Sequence, residues 1–596
     1  MLLLTSLLRL AIVAPPPPRL DIYYPTYPLP HRTVGKVNVV GVAFSSAGIA
    51  EVSWETGGGD SGPAVLACDA SSVYCGWETG VLALAPGSTV VTIRARDASG
   101  AQLRSDITIE SRGFPINHRV DCSRPTSGDG SVALPFNTLQ EAVDASYSGD
   151  TIQINGGVCN GYLPYGITHG LTIQGDPESP PAVLKIEGGH IATVTPDLVS
   201  FKHLRMSRPH AYSPGFQPMF ISGFYPIPRP VGARTLLEDV QGATLYGESL
   251  PSYSVRRCHD VLIHPSSGGT SIYADIEDST GVRLSGFPYG GVVDIRIRNS
   301  EVTEFQLDNH GRFSIDIERS LIRSGQLLLA QNYVNTDELQ LTLRDSIVEA
   351  TALQVNRLVH PCHGLCELTA ASLDVIIERN EFTDSHIGLD LRNTAMRERP
   401  GSQRLLVQNN IMVRSGVALE LSQRDATVGG VTQALIRHNT FIGAPVAVGT
   451  TAAMLRSAPP DWSLEIANNI IAGSGTAISV VSPQGLVAAH ILGNDLHGNG
   501  VDIEHDGTAV VEGNIGDDPR FRERLTGDYR LRSDSPCIDA ALDIASPPSD
   551  DAAGSVRPLD GDGDGAGRAD IGAFESPARP QALHMPRRSL KRIRGS

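Results

Sequence analysis

Lysine, aromatic residues and long apolar runs are scarce in this chain of 596 residues. Lysine accounts for 4 of the 48 basic residues, aromatics for 5% of the chain, and the formal net charge is -17. An acidic protein of this kind is not expected to bind nucleic acid through a basic surface. No segment after residue 14 approaches the roughly 20 apolar residues that span a bilayer, and a hydrophobic content of 41% excludes a disordered chain.

Motifs for zinc binding and for common hydrolytic chemistry are also missing. The sequence has no CxxC pair, no Ser-His-Asp nucleophile elbow, no phosphate-binding glycine loop and no metalloprotease helix motif. Six of its eight cysteines lie in nearby pairs: Cys68 with Cys75, Cys122 with Cys159, and Cys362 with Cys366. These spacings predict loop-closing disulfides formed in an oxidising compartment, and buried free thiols in a cytosolic protein are the alternative.

The two ends of the chain differ in composition from the rest. Residues 1–30 are predicted to be a leader and Pro-rich linker: the apolar stretch to Ala14 resembles a secretory h-region, although Arg9 interrupts it and prolines follow directly. Residues 577–596 form a basic tail, predicted to be a solvated extension rather than a membrane or nucleic-acid patch. After removal of any leader, no membrane span is expected.

Residues 31–112 consist of short alternating strands separated by turn residues, which predicts a small β-sandwich. The segments AGIAEVSWETGGG, LAPGSTVVTIRARDASG and DITIES resemble a bacterial immunoglobulin-like domain. That resemblance implies a spacer or adhesive module without chemistry of its own.

The segment LPFNTLQEAVDASYSGDTIQI changes to a helical period. Asn137 and Gln140 form a capping-box-like start, and Leu139, Ala142 and Val143 share one face. We expect this helix to cover the first edge of a solenoid, whose open end would otherwise be free to pair.

Within residues 113–516, short strands recur and end in a polar residue. These positions are Asp239, Cys258, Asp278, Asn299, Arg319, Asp345, Asn380, Asn410, Asn439, Asn469 and Asn494. Coils of about 20 residues, some lengthened by loops, give such intervals, and an asparagine amide can bond to its counterpart one coil away. The series resembles right-handed parallel β-helix proteins, the fold of pectate lyases and polygalacturonases. The predicted fold class is therefore all-β, a right-handed parallel β-helix solenoid preceded by an immunoglobulin-like β-sandwich.

The position before each turn predicts a column of alternating charge on the outer face of the solenoid, because side chains on one face stack from coil to coil. Its members are Glu238, Arg257, Glu277, Arg298, Glu318 and Arg344. A self-neutralised column argues against a strongly charged substrate on this face. Coincidence within a charged, solvated face is the alternative.

Residues 517–576 have a different character. The pieces DPRF, GDYRL, SPCIDA and DIGAFE resemble the C-terminal element of bacterial secreted β-helix proteins of the choice-of-anchor Q type. This element includes DGDGDG, where Asp560, Asp562 and Asp564 alternate with glycines. Alternating carboxylates on a tight turn are typical ligands of calcium, and Asp570 or Glu575 is expected to complete the shell of a structural ion. An acidic turn without an ion is the alternative.

Candidate catalytic residues are few. In DNHGRFSID, Asp308, His310 and Arg312 would share one strand face if the stretch were extended, whereas a surface cluster without chemistry is the competing interpretation. Two further candidate groups are favoured as structural. These are His363, between Cys362 and Cys366, and the set His386, Asp390 and Arg392.

Together these features predict a secreted or cell-surface protein, monomeric, that engages extracellular polysaccharide. Three hypotheses remain: a polysaccharide lyase or glycoside hydrolase, a non-catalytic adhesive or carbohydrate-binding protein, and a structural spacer. Fold analogy does not decide among them.

Overall fold

The computed structural model describes most of the chain between residues 17 and 577. The described residues are 17–25, 31–68, 71–160, 163, 167–185, 197–207, 234–247, 252–265, 272–286, 292–309, 312–331, 338–355, 372–393, 402–423, 432–452, 462–481, 489–506 and 509–577. The chain forms two compact units, Met1–Glu238 and Asp239–Ser596. Among the described residues, no helix is long and apolar enough to cross a membrane.

The first unit begins with a sandwich of two sheets. Its strands are β1 (Arg19–Tyr24), β2 (His31–Thr33), β3 (Lys36–Phe44), β4 (Ile49–Thr56), β5 (Ser61–Pro63), β6 (Val65–Cys68), β7 (Tyr74–Ala83), β8 (Gly87–Asp97) and β9 (Gln102–Ser111). One sheet has the order β1-β3-β7-β6 and the other β2-β9-β8-β4-β5. The predicted disulfide Cys68–Cys75 joins β6 to β7.

The core of the sandwich lies between these sheets, where Val39, Val91, Ile93 and Ile109 are fully buried. Strand β1 falls within residues 1–30, which were predicted to be leader and linker. It belongs to the sandwich because it pairs antiparallel with β3 and buries Tyr24 in this core.

The coils of the first unit follow the sandwich. Their elements are β10 (Asn117–Asp121), α1 (Leu139–Ala145), β11 (Asp150–Gly156), β12 (Val158–Asn160), β13 (Leu171–Gly175), β14 (Ala182–Lys185), β15 (Leu198–Lys202), β16 (Leu204–Ser207) and β17 (Arg234–Glu238). Strands β10, β11, β13, β15 and β17 are paired in parallel, and so are β12, β14 and β16. The predicted disulfide Cys122–Cys159 is formed.

The predicted helix exists, and Leu139, Ala142 and Val143 are buried as expected. Its cap is one residue later than predicted. Thr138, not Asn137, is the N-cap, and its hydroxyl accepts a hydrogen bond from the Glu141 backbone N–H. Thr138 and Glu141 thus have the spacing of a capping box. Asn137 and Gln140, one position earlier in the sequence, have the same spacing.

A buried polar cluster joins the sandwich to the first coils of the same unit. Tyr24 donates a hydrogen bond to Asp197 at 2.5 Å, and Ser148 donates to the same carboxylate at 2.8 Å. Burial and the nearby His169 lower the pKa of His31 to about 3. His31 is therefore neutral at neutral pH, and its Nε2 atom lies 3.3 Å from the Tyr24 hydroxyl.

The second unit continues with short parallel strands. They are β18 (Thr244–Gly247), β19 (Ser252–Arg256), β20 (Leu262–Pro265), β21 (Ile272–Glu277), β22 (Val282–Gly286), β23 (Val292–Arg298), β24 (Glu301–Asn309), β25 (Arg312–Glu318), β26 (Leu321–Ile322), β27 (Gln326–Gln331), β28 (Glu338–Arg344), β29 (Ile347–Glu349), β30 (Ala352–Val355), β31 (Ser372–Glu378), β32 (Glu381–Thr383), β33 (His386–Asn393), β34 (Gln403–Gln408), β35 (Ile411–Val413), β36 (Gly416–Gln423), β37 (Thr432–Arg437), β38 (Thr440–Ile442), β39 (Val446–Ala452), β40 (Trp462–Ala467), β41 (Ile470–Ala472), β42 (Thr476–Val481), β43 (Ala489–Leu492), β44 (Asp495–His497), β45 (Val501–His505) and β46 (Val510–Glu512).

These strands form two long parallel sheets, which we call the ladder sheet and the companion sheet. The ladder sheet of this unit has the order β19-β21-β23-β25-β28-β31-β34-β37-β40-β43-β46. The other strands from β18 to β45 form the companion sheet. Successive coils of parallel strands establish the predicted right-handed β-helix, with buried residues such as Ile295, Val375 and Ile466 pointing inward.

A buried polar column runs inside the turn that follows the ladder sheet. Its side chains each accept a hydrogen bond from the backbone N–H of the member one coil earlier, from Ser279 onward. The column comprises Cys258, Ser279, Ser300, Ser320, Ser346, Asn380, Asn410, Asn439, Asn469, Asn494 and Asn514. The predicted coil-to-coil amide bonding is confirmed.

The left-handed backbone of this turn lies one residue before the column. Arg379, Asn409, His438 and Asn468 have positive φ, from 51 to 56°, whereas the asparagines that follow them do not. Asparagine tolerates left-handed backbone, but the asparagines of the column do not adopt it. They are instead selected for the amide, which both accepts and donates inside the solenoid.

The predicted charge column is present, with one correction. Register places Arg256 opposite Glu277, Glu277 opposite Arg298, Arg298 opposite Glu318, and Glu318 opposite Arg344. Arg257 was predicted in this column, but it occupies the left-handed turn and pairs with Asp239 at 2.9 Å. Glu238 belongs to β17 of the first unit, where it pairs with Lys202 at 2.9 Å.

Candidate functional site

Two of the predicted catalytic residues, Asp308 and Arg312, lie on different strands. Asp308 lies near the end of β24, opposite Ala330 in the companion sheet. Arg312 begins β25 in the ladder sheet, and its Nε is 2.8 Å from a carboxylate oxygen of Glu338. His310 lies outside the described residues. A shared face required one extended stretch, but the chain passes from the companion sheet to the ladder sheet between β24 and β25.

The other histidine candidates remain separate from Asp308 and Arg312 in the strand order. His386 begins β33 and is exposed, and Asp390 and Arg392 lie on the same strand, opposite Glu420 and Ser422. Cys362, His363 and Cys366 lie outside the described residues.

Three carboxylates come together at the acidic turn of the C-terminal element. Asp539, Asp560 and Asp562 each place one oxygen within 4.8 Å of the others. Asp560 and Asp562 were predicted for this site, whereas Asp539 was not. The sequence held a signal for it, because Asp539 belongs to the SPCIDA motif, but nothing indicated that this motif folds back onto the turn.

Backbone N–H groups hold these carboxylates in place. Asp560 accepts from Gly563 at 2.7 Å and from Gly565 at 2.9 Å, and both glycines have positive φ. Asp539 accepts from Asp562 N–H at 2.8 Å. Each carboxylate oxygen has a second lone pair, so these bonds leave acceptor capacity for a hard cation, and the donor set is all oxygen.

Two other residues predicted as ligands lie outside this group of three. Asp564 accepts from the Ala566 N–H at 2.7 Å. Asp570 is fully buried, and it accepts from Asp539 N–H at 2.8 Å and Ser576 N–H at 2.7 Å. Burial and nearby Glu575 raise the pKa of Asp570 to about 7. Asp570 therefore positions the backbone of Asp539 and is not itself a member of the cluster.

A buried ion pair fixes the C-terminal element internally. Arg557 and Glu575 have fully buried side chains, with Arg557 Nε 3.4 Å from a Glu575 oxygen. Arg557 also donates to the carbonyl oxygens of Asp570 at 2.9 Å and Gly572 at 3.0 Å, and it contacts the ring of His438. Burial, followed by the adjacent Arg557 charge, holds the pKa of His438 well below its usual range.

The same element follows the left-handed turn positions of successive coils. Asn468 exchanges two 2.9 Å hydrogen bonds with the backbone of Leu542. Arg437, beside this turn, donates to Ala545 O at 2.9 Å. On the two preceding coils, Asn409 and Arg379 both reach Asp550, at 2.8 and 3.1 Å. The element is thus attached along four consecutive coils.

The outer face of the ladder sheet carries a partly shielded carboxyl, that of Glu465. Glu465 is half-buried, opposite Leu435 on one side and His490 on the other. Among the described residues, no donor lies within hydrogen-bond distance of its shielded Oε1 atom. Burial raises the pKa of Glu465, while Arg437 and His490 partly oppose the shift. Nothing in the sequence pointed to this residue, since its strand has the same pattern as those of the other coils.

The solved structures that are similar to this chain include two enzymes. Pectate lyase Pel9A is 11% identical, with a TM-score of 0.18, and the match covers 78% of this chain and 97% of that one. A family 28 exopolygalacturonase from Yersinia enterocolitica is also 11% identical, with a TM-score of 0.17, over 84% of this chain and 97% of the enzyme. No protein-family model matches the chain. No curated protein matches it either. The assignment of the β-helix rests on the strand pairing described above.

Proposed function

We propose that this chain is a secreted or cell-surface protein that engages extracellular polysaccharide along the outer face of the ladder sheet. One observation carries the proposal. Eleven consecutive parallel strands of the second unit form this sheet. Ten intervals of about 4.8 Å give a regular face roughly 48 Å long. A linear polymer of repeating units fits such a surface better than a compact ligand does.

The charges of this face favour a neutral or weakly charged polysaccharide. Positive and negative side chains oppose one another from coil to coil, and diagonal pairs such as Arg344 with Asp316, at 3.3 Å, neutralise them further. A uronate-rich polymer would also meet a chain of net charge -17. A neutral glycan avoids this repulsion.

If this protein is an enzyme, Glu465 is the residue that we propose as its catalytic acid. Its raised pKa suits a general acid, and His490 on the next coil is a second titratable group on the same face. A glycoside hydrolase or lyase would place the scissile bond beside this pair. The alternative is a non-catalytic adhesin that uses the same face for binding alone, as the resemblance to immunoglobulin-like and choice-of-anchor Q modules implies.

Incubation of the full chain with a panel of neutral and uronate polysaccharides tests this proposal. Binding is measured by affinity electrophoresis, and cleavage by reducing ends and by the ultraviolet absorbance of unsaturated products. If the chain cleaves a polysaccharide and Glu465→Gln abolishes the cleavage, the result supports the enzyme hypothesis. The control Glu178→Gln, an exposed change in the first unit, should remain active. Binding without cleavage supports the adhesin, and the absence of binding across the panel overturns the proposal.

We also propose that Asp539, Asp560 and Asp562 bind a structural calcium ion. Saturation of the site at about 100 times the dissociation constant is expected to stabilise the chain by about 2.7 kcal/mol. The thermal midpoint should therefore rise with calcium and fall with chelator. Asp562→Asn should remove this response and Asp564→Asn should retain it, because Asp564 lies outside the cluster. An equal response in both variants would contradict the assignment.

A further inference from the structure

The solenoid of the second unit ends on open sheet edges. Strand β45 (Val501–His505) is the last of the companion sheet, and β46 (Val510–Glu512) is the last of the ladder sheet. Among the described residues, no strand pairs with the far edge of either. Alternate backbone N–H and C=O groups of these strands therefore face away from the preceding coil.

The interior of the solenoid is also exposed at this end. Along one inward column of the ladder sheet, Ile466 and Ile491 are fully buried, but their next partner Val511 is 45% exposed. In the companion sheet, Ile478 is fully buried, whereas its next partner Ile503 is partly exposed. An apolar cross-section of this kind favours a covering segment.

The first coil of the other unit shows how such an end is covered within one chain. Helix α1 buries Leu139, Ala142 and Val143 close to β10, the first strand of its sheet. No described helix has the corresponding place beside β45 and β46.

The charge of the open end indicates which kind of segment would cover it. Residues 501–518 contain six carboxylates and no lysine or arginine. The carboxylates are Asp502, Glu504, Asp506, Glu512, Asp517 and Asp518, all exposed. Two copies of the chain pairing at these edges would bring the same carboxylates together, which is unfavourable at neutral pH. A cationic segment would instead neutralise them.

We propose that this end binds an extended segment of another protein in which lysine or arginine alternates with apolar residues. Such a segment adds a strand to β46 or β45, so its backbone satisfies the open edge. Its apolar side chains would cover Val511 and its neighbours, and its cations would face Glu504 and Glu512. This inference is independent of polysaccharide binding, which concerns the outer face and not the edge.

The test uses the full chain and a synthetic peptide of alternating lysine and valine, with binding followed by fluorescence anisotropy. Charge reversal by Glu504→Lys with Glu512→Lys is expected to weaken binding by about tenfold or more, and added salt should weaken it as well. Glu178→Lys, an exposed reversal in the first unit, is the matched control and should bind normally. A peptide with glutamate in place of lysine should not bind.

A second variant separates edge pairing from charge alone. Val511→Ser leaves the charges of this end unchanged but removes apolar cover, so it should still weaken binding if the peptide docks on the open core. Equal binding by Val511→Ser and the unchanged chain would overturn strand addition. Binding that survives the double charge reversal would overturn it too, and so would a dimer in light scattering that the reversal dissociates.

Discussion

Replacement of Asn439 by alanine is expected to lower the free energy of unfolding by about 3 to 5 kcal/mol, since each buried polar group left without a partner costs about 1 to 3 kcal/mol. The Asn439 Oδ1 atom accepts from both the backbone and the side-chain N–H of Asn410, each at 2.9 Å. Its Nδ2 atom donates to Val407 O at 2.9 Å and to Asn469 Oδ1 at 3.0 Å. Alanine would leave several of these groups unpaired inside the solenoid.

Urea unfolding of Asn439→Ala and Asn439→Ser measures this effect. Serine should cost clearly less, because Ser320 and Ser346 occupy the same column and accept the backbone N–H of the preceding coil. The exposed change Asn117→Ala should be nearly neutral, within about 0.5 kcal/mol. An equal loss in the serine and alanine variants would show that the acceptor oxygen is not the source of the stability.

Replacement of Arg557 by methionine is expected to release the C-terminal element from the solenoid. Removal of one partner from a buried ion pair costs about 3 to 5 kcal/mol, because the other charge remains buried. Here Glu575 would keep only the N–H groups of Leu559 and Asp570. The carbonyls of Asp570 and Gly572 would also lose their shared donor.

Limited proteolysis with mass spectrometry distinguishes this release from general unfolding. In Arg557→Met we expect early cuts within residues 540–556 while the coils remain resistant. Arg568→Met, which changes an exposed side chain of the same element, should resist cleavage as the unchanged chain does. The double change Arg557→Met with Glu575→Leu should recover part of the loss, since it leaves no unpaired charge. Early cuts in the double variant equal to those in Arg557→Met would contradict the ion-pair explanation.

The β-helix could be predicted because its signal repeats on every coil. A polar residue after each inward-facing strand is visible in the sequence, and the errors are shifts of one position. Arg256 and Arg257 are adjacent arginines, and only the pairing of Val255 with Ile276 decides which one faces outward. Thr138 and Asn137 present the same difficulty, because both can cap a helix.

The candidate sites were harder to predict because they depend on contacts distant in sequence. Asp539 lies 23 positions before Asp562, and a chain reversal brings them together. Asp570 has a carboxylate that could bind a metal ion, but it is buried, and only the packing of the element reveals this. Glu465 is half-buried by its neighbours on adjacent coils, which only the packing of the coils reveals.

The polar column also sets where the number of coils can change during evolution. Each serine of the column accepts the backbone N–H of the coil before it, so duplication or deletion of one whole coil between Asp239 and Asp345 would restore these bonds across the junction. From Arg379 to Asn468 this freedom is lost, because the C-terminal element reaches the turn of each coil at a fixed point. We therefore expect related chains to differ in length upstream of Asp345 and to keep a constant number of coils beyond it.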